Sequence, residues 1–236
     1  MWIKRRMLIG LWLLAFAVLV SGCAGPVQRS LPQEAVSLAA PVPQGFAMHQ
    51  LRPDLGLVMP ALPEQWEVRQ AASKDMIEHQ AEHEEEDARR AGQPITQEEA
   101  LRRAEQHYAD SDDLHIQNTE SEAHLLFSVH ALAPDQREPS ANSVARSALT
   151  AAYGVTDEGW TKHSEDHRPV DVKGARHAQY FEIEYSKNDE RQLFTGVVGY
   201  AQPYWFWFYA YDHFHDPADR ALLKRILQSF EVRTSH

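Results

Sequence analysis

The 236-residue sequence predicts an α+β domain, an antiparallel sheet with helices packed on it. Residues 181–185 alternate apolar side chains with glutamates, which is typical of a strand with one solvent-exposed face. Two more strand patterns follow across short turns, at residues 193–201 and 204–211. Helical patterns lie before and after this run of consecutive strands, and that order of elements indicates the α+β class.

The domain is predicted to open with strands. Short apolar runs at residues 55–59 and 65–68 are separated by Pro60 and Pro63. This pattern indicates an opening strand pair, or a strand followed by a turn. Trp66 is the expected core anchor of the region.

A charged helical pair is predicted next, at residues 72–110. Residues 72–91 favour a helix, but Glu, Asp, His and Arg dominate them and the apolar stripe is thin, so we expect a largely solvated helix. Gly92 breaks that helix. Thr96 with Glu99 then matches a capping box, which predicts the start of a second helix. We expect the pair to form an excursion at one edge of the domain.

The remaining elements complete the α+β pattern. They are strands at about residues 114–118 and 123–131, a helix opened by Pro139 and Ser140, a short strand around residues 170–172, a final helix capped by Asp216 with Pro217 in its first turn, and a closing strand at residues 230–232.

The strand pattern at residues 204–211 is apolar at every position. A strand that is apolar on both faces is typical of a central position covered on both sides. Its aromatic side chains are also able to line a ligand pocket or a sugar platform. Placed between two amphipathic helices, they are more simply interpreted as core.

The order of these elements resembles the PsbP-like α/β/α sandwich fold. The residues that carry the resemblance are Pro63 and Trp66 at the opening strand, and the Ile226-Leu227-x-Ser229-Phe230 motif at the end of the final helix. It covers residues 55–232, with residues 72–110 as an insertion. The resemblance implies a binding or assembly factor, often exported or lipid-anchored, and it implies no catalytic residue. Fold analogy alone assigns no function.

The N-terminus has the layout of an export signal. Three cations at residues 4–6 precede an apolar run at residues 7–20, which is too short to span a bilayer comfortably. Val20-Ser21-Gly22-Cys23 then resembles the lipobox of bacterial lipoproteins. The resemblance implies that residues 1–22 are removed as a signal peptide and that lipid is attached to Cys23. The alternatives are an ordinary signal peptide and an N-terminal anchor helix.

Lipidation suits the rest of the sequence. Cys23 is the only cysteine, so it has no intramolecular disulfide partner. Residues 23–46 contain four prolines and little periodicity, which predicts a flexible tether, and residues 47–236 are sufficient for one domain. Ala24 stands where lipoproteins retained at the inner membrane usually carry Asp. We therefore expect a lipid anchor at the outer membrane, facing the periplasm, where the cell has one.

The acidic composition excludes some partners. Removing residues 1–22 takes away three cations and no acid, so the formal net charge changes from −11 to −14. Nucleic-acid binding requires clustered Lys and Arg, so we expect no nucleic-acid partner. Docking to anionic lipid by charge is also disfavoured, and the lipid on Cys23 is left to hold the chain at the membrane.

Two histidine pairs are candidate metal ligands. His79 and His83 with Glu82 match the His-x-x-Glu-His motif of inverted zinc peptidases, although no third ligand follows from the spacing. His213 and His215 follow the aromatic strand, and neighbouring carboxylates are able to complete a zinc or copper site with them. The simpler interpretation is a polar helix in the first case and a polar connection in the second. We therefore expect no cofactor, with zinc or copper as the open alternative.

The sequence favours a non-enzymatic, lipid-anchored envelope protein that binds a protein or another envelope component. It has no Gly-x-Ser-x-Gly elbow and no Gly-rich phosphate loop. The charged helical pair at residues 72–110 is the expected partner-facing element. A metal-binding lipoprotein and a zinc-dependent hydrolase remain as alternatives.

Overall fold

A computed structural model describes residues 36–70, 74–109, 114–121, 123–154, 161–187, 190–212 and 216–235. The predicted signal peptide and Cys23 lie outside these residues. Within them, no helix is both long enough and apolar enough to cross a membrane.

The described residues form ten strands and four helices. In chain order these are β1 Phe46–Arg52, β2 Leu55–Pro60, β3 Trp66–Arg69, α1 Lys74–Arg90, α2 Gln97–Ala109, β4 Leu114–Asn118, β5 His124–Ala131, α3 Ala141–Gly154, β6 Thr161–Pro169, β7 His177–Lys187, β8 Glu190–Ala201, β9 Tyr204–Asp212, α4 Pro217–Ser229 and β10 Glu231–Thr234.

Two antiparallel sheets organise the fold. The larger has seven strands in the order β3-β4-β5-β9-β8-β7-β6, and the smaller has three in the order β1-β2-β10. Every pair of neighbouring strands is antiparallel. The predicted α+β class is therefore confirmed. The aromatic strand β9 lies at the centre of the larger sheet, as predicted.

The two faces of the larger sheet are covered by different elements. We name them after the helix that lies on each. On the α3 face, α3 packs its buried Val144, Ala148 and Ala152 against strands β7 and β8. On the α4 face, α4 and the smaller sheet enclose the main core with the inward side chains of β4, β5, β8 and β9. The described part of the domain thus has a helix on each side of a central sheet, with a second small sheet added on the α4 face.

Helix α4 is fixed at both ends by local sequence. The side chain of Asp216 accepts a hydrogen bond of 2.7 Å from the backbone N–H of Ala218, which confirms the predicted cap, and Pro217 occupies the first turn. At the other end, Phe230 places its ring 5.0 Å from Phe208 and 5.8 Å from Phe206, edge to face in both cases. These aromatic contacts hold the end of the helix against the central strand.

The C-terminal strand β10 completes the smaller sheet and contacts the segment that precedes β1. Arg233 is fully buried, donates hydrogen bonds to the backbone carbonyls of Ala40 and Pro41, and pairs with Glu231 at 3.0 Å. Residues 23–46 were expected to be a flexible tether throughout. The described part of that segment, from Val36 onward, instead lies against β10, because these backbone carbonyls help satisfy the buried guanidinium.

Three strand predictions need correction. The runs at residues 55–59 and 65–68 form β2 and β3, which lie in different sheets and are not a pair. The expected strand at residues 170–172 is not a strand; the edge strand is β6, before it. Strand β1 was not predicted. Strands β1 and β6 are half-buried or exposed along most of their length, so neither carries the apolar run that marks a core strand.

The charged helical pair lies where helices were predicted. Gly92 has a φ of +70° after the end of α1, and the Thr96 hydroxyl accepts a hydrogen bond from the backbone N–H of Glu99, as expected of a capping box. The two helices share a small apolar cluster centred on Ala81, Ala100 and Ala104. The pair connects β3 to β4 at one edge of the larger sheet.

Replacing Phe230 by Ala is expected to lower the free energy of unfolding by about 3–5 kcal/mol, because it leaves a cavity among Phe127, Phe206 and Phe208. Urea unfolding monitored by circular dichroism measures the change. The matched control is Gln228→Ala in the same helix, at an exposed position, which is expected to change the value by less than about 0.5 kcal/mol. An equal, small effect of both substitutions would contradict the role of Phe230.

Candidate functional site

The predicted metal ligands are not brought into a described site. Cys23, His213 and His215 lie outside the described residues. His79 and His83 lie one turn apart in α1, and their side chains are outside the described part of the chain. Among the side chains that the structure does describe, no three from His, Cys, Asp and Glu are grouped as metal ligands would be. The zinc and copper assignments therefore stay predictions.

Successive side chains of strand β9 point to opposite faces of the larger sheet. Tyr204, Phe206, Phe208 and Ala210 point to the α4 face and are buried. Residues 205, 207, 209 and 211 are Trp, Trp, Tyr and Tyr, point to the α3 face and are only half-buried. Trp and Tyr combine apolar rings with a hydrogen-bonding group, which suits a surface that is partly exposed to solvent.

Among the residues that the structure describes, helix α3 covers only part of the face on which it lies. It packs on β7 and β8, which lie to one side of β9. On the other side of β9, strand β5 presents His124, Leu126, Ser128 and His130 to the α3 face, and these side chains are half-buried or exposed. The register pairs them directly with Tyr211, Tyr209, Trp207 and Trp205 respectively. We call these eight residues of β5 and β9 the aromatic surface.

Ring contacts hold the aromatic surface in one arrangement. Trp205 and Trp207 stack with centroids 5.8 Å apart and planes within 15°. The His130 ring meets Trp207 at 5.4 Å, edge to face. The ring of Tyr211 is stacked on both sides, at 4.9 Å from His124 and 4.7 Å from Phe194. These side chains are already immobilised, so a ligand or partner would lose little side-chain entropy in binding them.

A glycine sets the inner border of the aromatic surface. Gly196 lies on the α3 face of β8, directly across from Tyr209. A Cβ atom there would come within 2.5 Å of the Phe181 ring and 2.7 Å of the Tyr209 ring. Glycine allows these two rings to approach to 5.9 Å across the strand. Burial in this packing raises the pKa of Tyr209 above its ordinary value.

The aromatic surface is a correction to the sequence interpretation. The strand at residues 204–211 was expected to be covered on both faces, and one of its faces is only half-buried. The signal was present in the sequence as the strict alternation of Phe or Ala with Trp or Tyr from Trp205 to Tyr211. The companion residues on β5 were not predictable as a site, because the pairing of β5 with β9 joins segments about 80 residues apart.

The aromatic surface combines the flat rings of two tryptophans and two tyrosines with two histidines, a leucine and a serine. Aromatic residues are enriched where proteins bind partners, and Trp and Tyr most often carry the binding energy. The surface lies on the half of the sheet that also includes β3 and β4, the strands joined by the charged helical pair.

The charged helical pair contains a compact ion-pair network. Glu99 accepts hydrogen bonds of 2.8 and 3.0 Å from Arg102 and of 2.9 Å from Arg103. Hydrogen bonds from Arg102, then from Arg103, lower the pKa of Glu99 from 4.5 to about 2. The network is exposed to solvent, so it organises surface charge more than it stabilises the fold.

Comparison with known proteins gives distant structural neighbours only. No family model matches the chain, and no curated protein matches it in sequence. Among solved structures, it is similar to cyanobacterial PsbP (CyanoP) from Synechocystis sp. PCC 6803, with a TM-score of 0.40 and 9% identity over 85% of this chain and 99% of that one. It is also similar to PA94 from Pseudomonas aeruginosa, a protein of unknown function, with a TM-score of 0.31 and 14% identity over 75% and 86% of the two chains. Similarity at this level assigns no function.

The Glu99 carboxyl is expected to titrate near pH 2 in the folded protein, as measured by NMR of its side-chain carboxyl. Since this pKa lies below the ordinary 4.5, the network's contribution is complete above about pH 4.5 and is lost as the pH falls through about 2. The double substitution Arg102→Gln and Arg103→Gln should return the midpoint towards 4.5. A midpoint near 4.5 in the unsubstituted protein would contradict the ion pairs.

Proposed function

We propose that this chain is a lipid-anchored protein of the cell envelope whose domain binds a protein or another envelope component and catalyses no reaction. The observation that carries the proposal is the aromatic surface. Trp205, Trp207, Tyr209 and Tyr211 form a continuous half-buried row on a sheet face that α3 covers only in part. A rigid aromatic row beside polar side chains is the composition typical of a binding interface.

The anchor part of the proposal rests on the N-terminal sequence. The cationic start, the apolar run and the lipobox-like residues before Cys23 support export and lipid attachment. Several acyl chains anchor a protein stably, where a single chain binds only marginally. Ala24 supports the outer membrane, facing the periplasm, over the inner membrane. The acidic net charge supports a partner other than nucleic acid.

The charged helical pair supplies a second element of the proposed interface. Helices α1 and α2 contact each other far more than they contact the rest of the described domain. They connect β3 to β4, at the end of the larger sheet that lies on the β5 side of β9. We propose that a partner seated on the aromatic surface also meets the polar side chains of the pair.

Replacing Cys23 by Ser is expected to abolish the incorporation of palmitate, because the proposed lipid is attached to that thiol. The full chain is expressed in a Gram-negative host with radiolabelled palmitate, and label and membrane association are followed together. The matched control is Ser21→Ala, which keeps the cysteine. Absence of label from the parent chain, or label that survives Cys23→Ser, would contradict the proposed lipid anchor.

Replacing Trp207 by Ala is expected to reduce recovery of the partner by about tenfold or more, because tryptophans at interface centres are the commonest energetic hot spots. The measurement is affinity co-purification of the full lipidated chain from native membranes in mild detergent, with quantitative mass spectrometry. His130→Ala, at an exposed position of the same surface, tests the contact without disturbing the core.

Met48→Ala is the matched control, because Met48 is an exposed apolar residue on β1, in the other sheet. A separate variant tests the charged helical pair by replacing residues 70–113 with a short Gly-Ser turn. The pairing of Arg69 with His115 across β3 and β4 permits this replacement. Retained folding with loss of the partner would place the helical pair in the interface. Unchanged recovery with Trp207→Ala and His130→Ala, in variants that unfold as cooperatively as the parent, would overturn the proposed surface.

A further inference from the structure

The smaller sheet has one face towards the main core and one face away from it. Leu55 and Leu57 of β2 belong to the main core. Gly56, between them, points the other way, because successive residues of a strand face opposite sides. The register places Val58 of β2 and Met48 of β1 on the same side as Gly56. We call this second side of the smaller sheet its outer face.

The segment before β1 lies over the outer face. Two backbone carbonyls of residues 36–43 accept hydrogen bonds from Arg233, which the register places opposite Gly56. A Cβ atom at Gly56 would lie 3.0 Å from Cδ2 of Leu38 and 3.6 Å from Sδ of Met48. Both apolar side chains therefore lie above the glycine, and the segment and β1 together form the surface of the domain on this side.

Apolar side chains of this surface reach solvent. In the described part of the chain, three large apolar side chains are more than a third exposed: Val42 at 39%, Met48 at 37% and Tyr153 at 44%. Two of these three lie here, next to exposed prolines and to half-buried Leu38 and Phe46. We name these side chains the entry surface, because the chain enters the domain there: Leu38, Pro41, Val42, Pro43, Phe46 and Met48.

Acidic side chains are sparse around the entry surface. The sequence has 34 Asp and Glu in 236 residues, but Asp54 is the only one within residues 36–63. Its carboxylate accepts a hydrogen bond of 2.6 Å from the Tyr204 hydroxyl. Glu231 of β10 is paired with two cations. Anionic headgroups repel acidic surfaces, so this side of the domain is able to approach a bilayer that a more acidic side would not.

The proposed lipid anchor leads into this same side. The backbone carbonyl of Val36 accepts a hydrogen bond from Thr234 of β10, and twelve residues separate Cys23 from Val36. A chain of that length reaches at most about 45 Å. A domain of roughly 200 residues is about 40 Å across, so this reach alone permits several orientations. Linkage to the membrane raises the effective concentration of lipid at the domain, so a weak apolar contact is enough to select one orientation.

We infer that the entry surface lies on the phospholipid bilayer to which Cys23 is anchored. The inference rests on the proposed lipid anchor and adds which side of the domain faces the membrane. Val42 and Met48 enter the headgroup region, where apolar side chains of interfacial proteins are buried. The smaller sheet lies on the α4 face of the larger sheet and the aromatic surface on its α3 face. The aromatic surface is therefore turned away from the bilayer, towards a partner on the far side.

The test is quenching of a fluorophore by lipid in proteoliposomes. Cys23 is the only cysteine and is proposed to carry lipid, so an introduced cysteine is a single labelling site. Full lipidated chains with Val42→Cys or Met48→Cys are labelled with bimane. They are placed in vesicles of phosphatidylethanolamine with a minority of phosphatidylglycerol, with or without lipid that carries a nitroxide near its headgroup. The emission is expected to fall by about half or more in the presence of the nitroxide lipid.

Tyr153→Cys is the matched control, because Tyr153 is equally large and exposed but lies at the end of α3, on the other face of the larger sheet. Its emission is expected to change by less than about a tenth, since apolar contact reaches only the headgroup boundary. Adding Val42→Asp to the Met48→Cys chain is expected to restore about half or more of the lost emission, because a carboxylate is repelled by anionic headgroups. Adding Tyr153→Asp to the same chain should leave the quenching unchanged.

Vesicle flotation and the number of labelled thiols separate this inference from the lipid anchor. Chains that float with the vesicles but show equal quenching at residues 48 and 153, or none at either, would overturn the orientation and leave the anchor standing. Chains that stay in solution, or that carry label on two thiols, would overturn both. Emission at residue 48 that depends on protein density, and is indifferent to the nitroxide lipid, would assign the entry surface to a second copy of the chain instead.

Discussion

Phe230 packs its ring edge to face against Phe206 and Phe208 of the central strand and, at 6.4 Å, against Phe127 of β5. This contact joins three parts of the fold, because Phe230 stands between α4 and β10. It holds α4 on the larger sheet, and it starts the strand that closes the smaller sheet against β2.

The alternation of side chains along β9 gives the two faces of the sheet different roles. Successive residues of a strand point to opposite faces, so one aromatic segment supplies both core and surface. The phenylalanines complete the buried core, while Trp205 and Trp207 lie at the border of the cluster that α3 covers. The aromatic surface and the main core thus depend on one strand, with the aromatic surface on its α3 face and the buried phenylalanines on its α4 face.

The ion pairs of the fold contribute differently according to whether they are exposed or buried. Exposed pairs such as Glu99 with Arg102 contribute little stability, because water screens them. Arg233 is different: it is fully buried, and its guanidinium pairs with Glu231 and reaches the backbone carbonyls of Ala40 and Pro41. A buried charge left without partners is strongly unfavourable, so this arrangement fixes where the chain enters the domain.

The sequence by itself determined the features that depend on neighbouring residues: the Asp216 cap, the break at Gly92, the meander from β7 to β9 and hence the α+β class. Only the tertiary structure decided the pairing of β2 with β10, which joins distant segments, and the assignment of β6 to an edge whose polar residues show no apolar alternation. It also decided which half of the α3 face the helix covers. Local sequence sets the period of a strand, but neighbours brought together by folding determine which of its faces is covered.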